Sequence, residues 1–292
     1  MAKVSFLGLG VMGYPMAGHL LKKGGHDVTV YNRSPAKAAQ WVKEYGGKSA
    51  ATPRDAAKDC DFVMMCVGND DDVRSVAYGD GGVLAGMKKG AIFVDHTTAS
   101  ASIARELHQK AKEKGIGFVD APVSGGQAGA VNGQLGIMCG GEQADFDRAK
   151  PVLDAYAKMC ALIGSPGAGQ LTKMVNQICI ASMAQGLAEG MAFAKRNNLD
   201  LEKVVAVISK GAAQSWQMDN RWKPMSELKA EGFGFAIEWM RKDMGICFAQ
   251  AKNSNASLPV AALVDQFYSR LEARGGKRWD STSALIQLLL KD

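Results

Sequence analysis

Gly8-Leu9-Gly10-Val11-Met12-Gly13 follows the apolar run Val4 to Leu7 and opens a stretch in which Met12, Met16 and Leu20 recur at helical spacing. A strand that passes through such a turn into a helix leaves few folds open. The first glycine permits the tight turn, the second lets backbone approach a pyrophosphate, and the third lets helix pack on strand, with the helix N-terminal amides facing the anion. Alone, the pattern also describes a structural glycine turn. Its place in the first strand, turn and helix of an alternating chain makes it a dinucleotide-binding signature.

The alternation continues. Further apolar runs lie at Val28 to Tyr31, Phe62 to Val67, Ile92 to Asp95, Phe118 to Asp120 and Leu135 to Cys139, and helix-like segments near 12–24, 35–45, 100–114 and 142–157 separate several of them. This is the pattern of an α/β Rossmann domain with a doubly wound, largely parallel sheet. Gly79 to Gly90 reads as a long surface connection. After Gly164-Ser165-Pro166-Gly167-Ala168-Gly169 the texture changes: Gln170 to Asn197 holds no proline and two glycines, with apolar residues at helical spacing throughout. Helices are expected near 200–210, 236–252 and 258–273, with no strand. The expected organisation is a Rossmann domain over 1–163 and an all-α domain over 164–292, with a long interdomain helix; no solenoid repeat or low-complexity segment interrupts it.

Composition narrows the function. With 292 residues, 47% hydrophobic and 22% charged, the chain has core enough for one large or two modest domains. The net charge of +6 comes from Lys and Arg scattered among acids, which argues against nucleic acid and for a mild attraction to anionic ligands. Six cysteines form no C-x-x-C pair and no Cys/His cluster, so no metal site and reduced, mostly buried thiols are expected. No signal-peptide pattern and no apolar run of membrane-spanning length is present, so no membrane association and a cytoplasmic location are expected. All four histidines lie in the first 108 residues. The second half therefore has no histidine to act as a catalyst.

Four segments could carry chemistry. Tyr31-Asn32-Arg33-Ser34 ends the second strand, where an acid would bind the ribose 2′-hydroxyl of NAD. No acid is there, so Arg33, helped by Asn32 and Ser34, points to NADP; a solvated Arg33 with NAD accepted too is the alternative. Asp120-Ala121-Pro122-Val123-Ser124-Gly125-Gly126 follows another strand, where the Ser124 hydroxyl and the Gly125 and Gly126 amides could hold a carboxylate, or simply form a glycine turn. Asp95-His96-Thr97-Thr98 ends a further strand, with hydroxyls for the nicotinamide end and His96 as a hydrogen-bonding loop residue rather than a catalyst. Lys173, one turn into the long helix with Asn176 and Gln177 on its side, is a solvated helix lysine or, if desolvated near a cationic nicotinamide, an acid/base.

Together these segments resemble the β-hydroxyacid dehydrogenase family, which includes 3-hydroxyisobutyrate dehydrogenase, tartronate semialdehyde reductase and the glyoxylate/succinic semialdehyde reductases. The resemblance rests on the Gly8 to Gly13 turn with Pro15-Met16-Ala17, on Asp120 to Gly126, on Gly167-Ala168-Gly169 with Lys173-Met174-Val175-Asn176-Gln177, and on Lys242-Asp243-Met244. It implies that Lys173 is the proton donor in reduction and acceptor in oxidation, and that Ser124, Gly125 and Gly126 hold a small carboxylate substrate. It implies further that Asn176 and Gln177 adjoin the substrate, that Thr98 and the Met65-Cys66-Val67 strand end contact the cofactor, and that Lys242 and Asp243 close the site, Lys242 on the cofactor and Asp243 on the substrate. Trp216 matches a position where relatives set an aromatic against the substrate; an ordinary core tryptophan is the alternative. Gln177 departs from the asparagine of many relatives, Val175 replaces the histidine of the 6-phosphogluconate dehydrogenases, and the presence of Lys173 favours a carbonyl over the imine taken by imine reductases.

The reading that follows is an NADP-preferring reductase of a small aldehyde acid, with NAD possible. An NAD-dependent dehydrogenase of 3-hydroxyisobutyrate, 3-hydroxypropionate or serine type is the alternative, and a non-catalytic dinucleotide-binding module a remote one. The long apolar helix offers surface for a homodimer or homotetramer.

Overall fold

Apolar runs that do not alternate are what a strand needs when both faces of its sheet are covered. The computed structural model, which describes residues 1–232 and 235–290, has that arrangement in its first half. In chain order come β1 (Lys3–Leu7), α1 (Gly13–Lys22), β2 (Asp27–Tyr31), α2 (Pro35–Tyr45), β3 (Lys48–Ser49), α3 (Pro53–Ala57), β4 (Phe62–Met65), α4 (Asp70–Ala77), α5 (Val83–Gly86), β5 (Ile92–Asp95), α6 (Ala101–Glu113) and β6 (Gly117–Asp120). Then follow β7 (Val123–Ser124), α7 (Gly126–Val131), β8 (Leu135–Gly141), α8 (Gln143–Leu153) and β9 (Ala157–Gly164).

The sheet order is β3-β2-β1-β4-β5-β6-β8-β7, with β9 pairing β8. Strands β1 to β6 are mutually parallel; β8 runs antiparallel to β6 and β7. The carboxyl ends of β1, β4, β5 and β6 are therefore neighbours along one edge. Val4, Phe6, Val30, Met64, Val94 and Val119 fill the core on one face, and Leu7, Val63, Met65, Phe93 and Phe118 fill the other. Three helices, α3, α4 and α6, are started by side chains: the Asp55 amide donates to Thr52, that of Asp72 to Asn69 and that of Ile103 to Ser100.

Two expectations need correction. Gly79 to Gly90 is not a surface connection, because α5 lies within it and buries Val83, Leu84 and Met87 in the second core. A Cβ at Gly86 would lie 2.2 Å from the Arg54 carbonyl oxygen, so that glycine serves close packing against α3. The helix expected over 142–157 stops at Leu153, and the chain re-enters the sheet as β9 at Ala157.

The chain divides into two compact units, Met1–Lys173 and Met174–Asp292. The long helix α9 (Ala168–Arg196) thus begins in the first unit. The second contains the rest of α9, then α10 (Leu201–Ile208), α11 (Trp216–Ser226), α12 (Ile237–Ser254), α13 (Pro259–Ala273) and α14 (Gln287–Leu290). No strand is found there among the described residues, only an isolated bridge between Ala236 and Asp280. Met240, Met244 and Cys247 of α12 and Val264, Tyr268 and Leu271 of α13 are buried, while Arg241 joins α12 to Asp265 and Glu272 of α13. Helix α11 was not anticipated; Pro224 inside its last turn hides it from a helical reading. Among the described residues no helix is long and apolar enough to cross a membrane, and no cluster of three metal-ligating side chains occurs.

Candidate active site

The three glycines of the first turn are not equivalent. Gly8 has φ +93°, and a Cβ on it would lie 2.1 Å from the Cys66 carbonyl oxygen; a Cβ on Gly13 would lie 2.0 Å from the Gly8 carbonyl oxygen. Both are dictated by the packing of the chain. A Cβ on Gly10 would meet no protein atom within 4 Å, so packing alone does not demand glycine there. Helix α1 begins with no capping side chain at Met12 and no acid in its first turn, which leaves amide N–H groups directed out of its N-terminus. An approach left open at Gly10 and an uncapped helix start fit the diphosphate of a dinucleotide. Leu9 and Val11 complete the turn, with Val11 half exposed.

Asn32, at the end of β2, uses its amide to brace this turn: Oδ1 accepts from the Leu9 N–H at 2.9 Å, and Nδ2 donates to the Ser34 carbonyl at 3.2 Å. Ser34 flanks α2, whose first residue is Pro35. The Arg33 side chain is 91% exposed and meets Asp72 at 3.6 Å, an ion pair that water screens almost completely.

Next along the edge, Cys66 donates its N–H to Leu7, and Val67 donates its own to the Thr97 hydroxyl at 3.0 Å. Thr98 is partly exposed beside it. Asp95 is fully buried and accepts from the Thr97 N–H at 2.9 Å; burial pushes its carboxyl up to about 7. His96 is also buried. Its Nδ1 lies 2.7 Å from the Ala121 carbonyl, which can only accept, so Nδ1 carries the hydrogen and Nε2 accepts from the Tyr156 hydroxyl at 2.8 Å. Burial pushes the imidazole down to about 4, which keeps it neutral. Both nitrogens are committed within the core, the hydrogen-bonding role expected of it.

Strands β6 and β7 pair with β8 in one register: Val119 with Gly141, Asp120 with Gly140, Val123 with Ile137 and Ser124 with Gly136. Ser124 is thereby carried to the end of a ladder that starts at the sheet edge. Gly125 and Gly126 follow with φ +130° and +62°, angles that turn the chain away from β7 into α7.

Lys173 is only 7% exposed, although it lies on the opening turns of α9. Asp120 and Gln170, both buried, make the contacts that hold those turns, and the motif reading assigned neither a role. In the second unit Asn176 donates to Gln177 at 2.8 Å, Gln177 donates to Asp243 Oδ2 at 2.6 Å, and Lys242 pairs with Asp243 Oδ1 at 2.9 Å. Four of the polar residues that the resemblance named on α9 and α12, Asn176, Gln177, Lys242 and Asp243, thus form one string. Trp216 is no core residue: it opens α11 at 51% exposure, with the Arg221 guanidinium 5.0 Å over its ring.

Residues 3–164 match the family model described as the NAD binding domain of 6-phosphogluconate dehydrogenase, and residues 167–289 match that of the NAD-binding region of NADP-dependent 3-hydroxyisobutyrate dehydrogenase. With the glycine turn and the doubly wound sheet, these define an oxidoreductase that uses a nicotinamide dinucleotide. An oxidoreductase of Shewanella frigidimarina with no assigned substrate is 62% identical over 99% of this chain and 98% of its own. The 3-hydroxyisobutyrate dehydrogenase of Pseudomonas aeruginosa is 34% identical over 92% of each chain. Among solved structures, the Mycobacterium tuberculosis 3-hydroxyisobutyrate dehydrogenase with L-serine superposes with a TM-score of 0.88 at 29% identity, covering 99% of both chains. The chain belongs to the β-hydroxyacid dehydrogenase family and is an NAD(P)-dependent hydroxyacid dehydrogenase.

Proposed function

We propose that the protein is an NADP-preferring oxidoreductase that interconverts a small aldehyde acid, of semialdehyde or glyoxylate type, and its hydroxy acid, with Lys173 as the acid/base. The observation that carries this reading is the burial of Lys173 in the unit that bears the glycine turn. Lysines of solvated helix faces stay in water; this one does not. Bound, the nicotinamide supplies the hydride in reduction and accepts it in oxidation. Lys173 gives a proton from Nζ to the developing alkoxide in reduction and takes it back in oxidation. The Ser124 hydroxyl and the Gly125 and Gly126 amides hold the substrate carboxylate, which fixes the reacting carbon. Asn176, Gln177 and Asp243 contact the substrate's polar atoms, and Trp216 offers it an aromatic surface.

On the cofactor side, Gly8 to Gly13 receive the diphosphate, Cys66, Val67 and Thr98 line its nicotinamide half, and Lys242 adds a charge. Arg33 has no packing to restrain it and exchanges Asp72 for a 2′-phosphate, with Asn32 and Ser34 beside it. NAD is the weaker cofactor in this scheme. L-serine in the mycobacterial relative favours a second reading, oxidation of a 3-hydroxy acid with NAD. We propose a cytoplasmic location, and a homodimer or homotetramer because α9 exposes Val175, Met183 and Phe193.

Initial rates with glyoxylate, succinic, methylmalonate and tartronate semialdehydes, each with NADPH and NADH, test the scheme. Equal efficiency with the two cofactors would remove the NADP preference. A methyl ester turned over as well as its acid would remove the carboxylate role of Ser124.

A further inference from the structure

The helix that carries Lys173 begins without a cap of its own. Its first turn contains no acid, and Gly167, with φ +92°, leads straight into Ala168. The missing acceptor comes from far away in sequence: Asp120 Oδ1 accepts from the Gly167 N–H at 2.8 Å, 47 residues on, and Oδ2 accepts from the Gln170 N–H at 3.0 Å. Gln170 then ties the same turn to the loop after β5. Its Nε2 donates to the Thr97 carbonyl at 2.7 Å, and its Oε1 accepts from the Ala99 N–H at 3.0 Å.

The surroundings leave this clamp no slack. A Cβ on Gly140, the ladder partner of Asp120, would lie 2.6 Å from Asp120 Oδ1 and 2.7 Å from the Gly169 nitrogen. A Cβ on Gly169 would lie 2.4 Å from the Met138 carbonyl oxygen and 2.8 Å from Asp120 Oδ2. Two glycines thus let the sheet edge and the helix start close on a single carboxylate. The carboxylate also has an electrostatic role. The amide end of a helix disfavours a cation placed near it, and an anion seated on those amides offsets that field where Lys173 must hold its proton.

We propose that Asp120 and Gln170 are positioning residues for Lys173, fixing its ammonium against the strand ends of the Rossmann unit and supporting its charged form. This inference rests on the acid/base reading of Lys173. Neither side chain takes part in the chemistry; both act through the placement of α9.

Asp120→Asn keeps the size of the side chain but sets an amide against one of two N–H donors, and Gln170→Leu keeps bulk while deleting both bonds to the loop. The measurements are kcat, the pH dependence of kcat in reduction, NADPH affinity by fluorescence titration, and the thermal midpoint. Each variant is expected to lose roughly tenfold to hundredfold in kcat, as a small misplacement of a reacting group does. NADPH affinity should be preserved, and the alkaline limb of the pH profile should move to lower pH as Lys173 gives up its proton sooner. Lys173→Ala is measured in parallel. If Asp120→Asn or Gln170→Leu only lowers the thermal midpoint, with kcat and the alkaline limb unchanged, while Lys173→Ala is inactive, the residues are merely structural and the positioning role falls. If Lys173→Ala itself keeps wild-type turnover, the acid/base reading falls and takes the positioning role with it. Should Asp120→Asn fail to fold, Gln170→Leu alone decides by the same measurements.

Discussion

The loops at the strand ends of the first unit and the polar string of the second are built by different means. In the first, backbone geometry does most of the work: Gly8 and Gly13 are set by contacts that a Cβ would abolish, Gly125 and Gly126 by positive φ, and Ser124 by ladder register. In the second, Asn176, Gln177, Asp243 and Lys242 depend on side chains of α9 and α12 reaching one another. Geometry of the first kind tolerates almost no substitution and reads any ligand with the right backbone shape. Geometry of the second kind can be retuned by exchanging one side chain.

The sharpest test is at Lys173, the last residue of the first unit on α9. Lys173→Ala should reduce turnover by about 10²–10⁴-fold with NADPH binding intact, and Lys173→Arg nearly as much, because guanidinium scarcely releases a proton at neutral pH. Near-wild-type turnover in either variant, measured at saturating substrate, would remove the residue from the mechanism. Next in size is Gly10→Val. Since no protein atom lies near a Gly10 Cβ, the thermal midpoint should hold while dinucleotide affinity drops by about tenfold or more. Gly13→Val should instead destabilise the fold itself. If both variants destabilised equally, the distinction drawn between the glycines would collapse.

Gln177→Leu should cut the string at Asp243 and, by leaving a buried carboxylate short of a donor, lower kcat/KM by roughly tenfold with little effect on NADPH affinity. A change confined to NADPH affinity would contradict the division between the regions. Arg33→Asp should reverse the cofactor preference, seen as kcat/KM with NADPH falling while that with NADH holds or rises. The smallest effect concerns stability. Because His96 is held neutral to about pH 4 while an unfolded imidazole protonates near 6.5, the unfolded chain binds more protons between those values. His96 thus adds stability above 6.5 that is lost as pH falls towards 4, by up to about 1.4 kcal/mol per pH unit. Asp95, raised to about 7, acts in the opposite sense, losing stability as pH rises from its ordinary value through 7. Comparing His96→Gln with the wild type isolates the first: the stability gap should narrow as pH falls from 6.5 to 4. A gap independent of pH would mean that His96 titrates normally.

Much of the first unit was legible because buried parallel strands are continuous apolar runs and because glycine turns have a fixed grammar. Strands β1, β2, β4, β5, β6 and β8 and helices α1, α2 and α6 stand close to where the sequence places them. What escaped was short or at an edge. Lys48–Ser49 is a polar two-residue strand, and β9 exposes Met159 and Ile163, so neither shows a clear period. Thr52-Pro53 and Asn69 with three aspartates after it were capping signals for α3 and α4 that periodicity alone overlooks. Among the candidate residues, the glycine turn, Ser124 and Lys173 are marked by motif. Asp120 and Gln170 did not, since their roles depend on partners 47 and 73 residues away, a relation that no local pattern contains.

The common register of β6, β7 and β8 has a consequence for how such a chain can change over generations. The ladder fixes Ser124 and Gly136 opposite each other whatever lies between them, so the segment from Gly126 to Gln134 is a detachable module. Outside the hairpin it meets α1: His19 Nε2 lies 3.0 Å from the carbonyls of Ala130 and Val131, and Ala130 is buried in the same core as Met16, Ala17 and Leu20. A lineage can lengthen, shorten or exchange this module, and so acquire a new substrate range, without disturbing the sheet that holds the dinucleotide, provided that the returning chain still meets His19 and re-enters β8 in step.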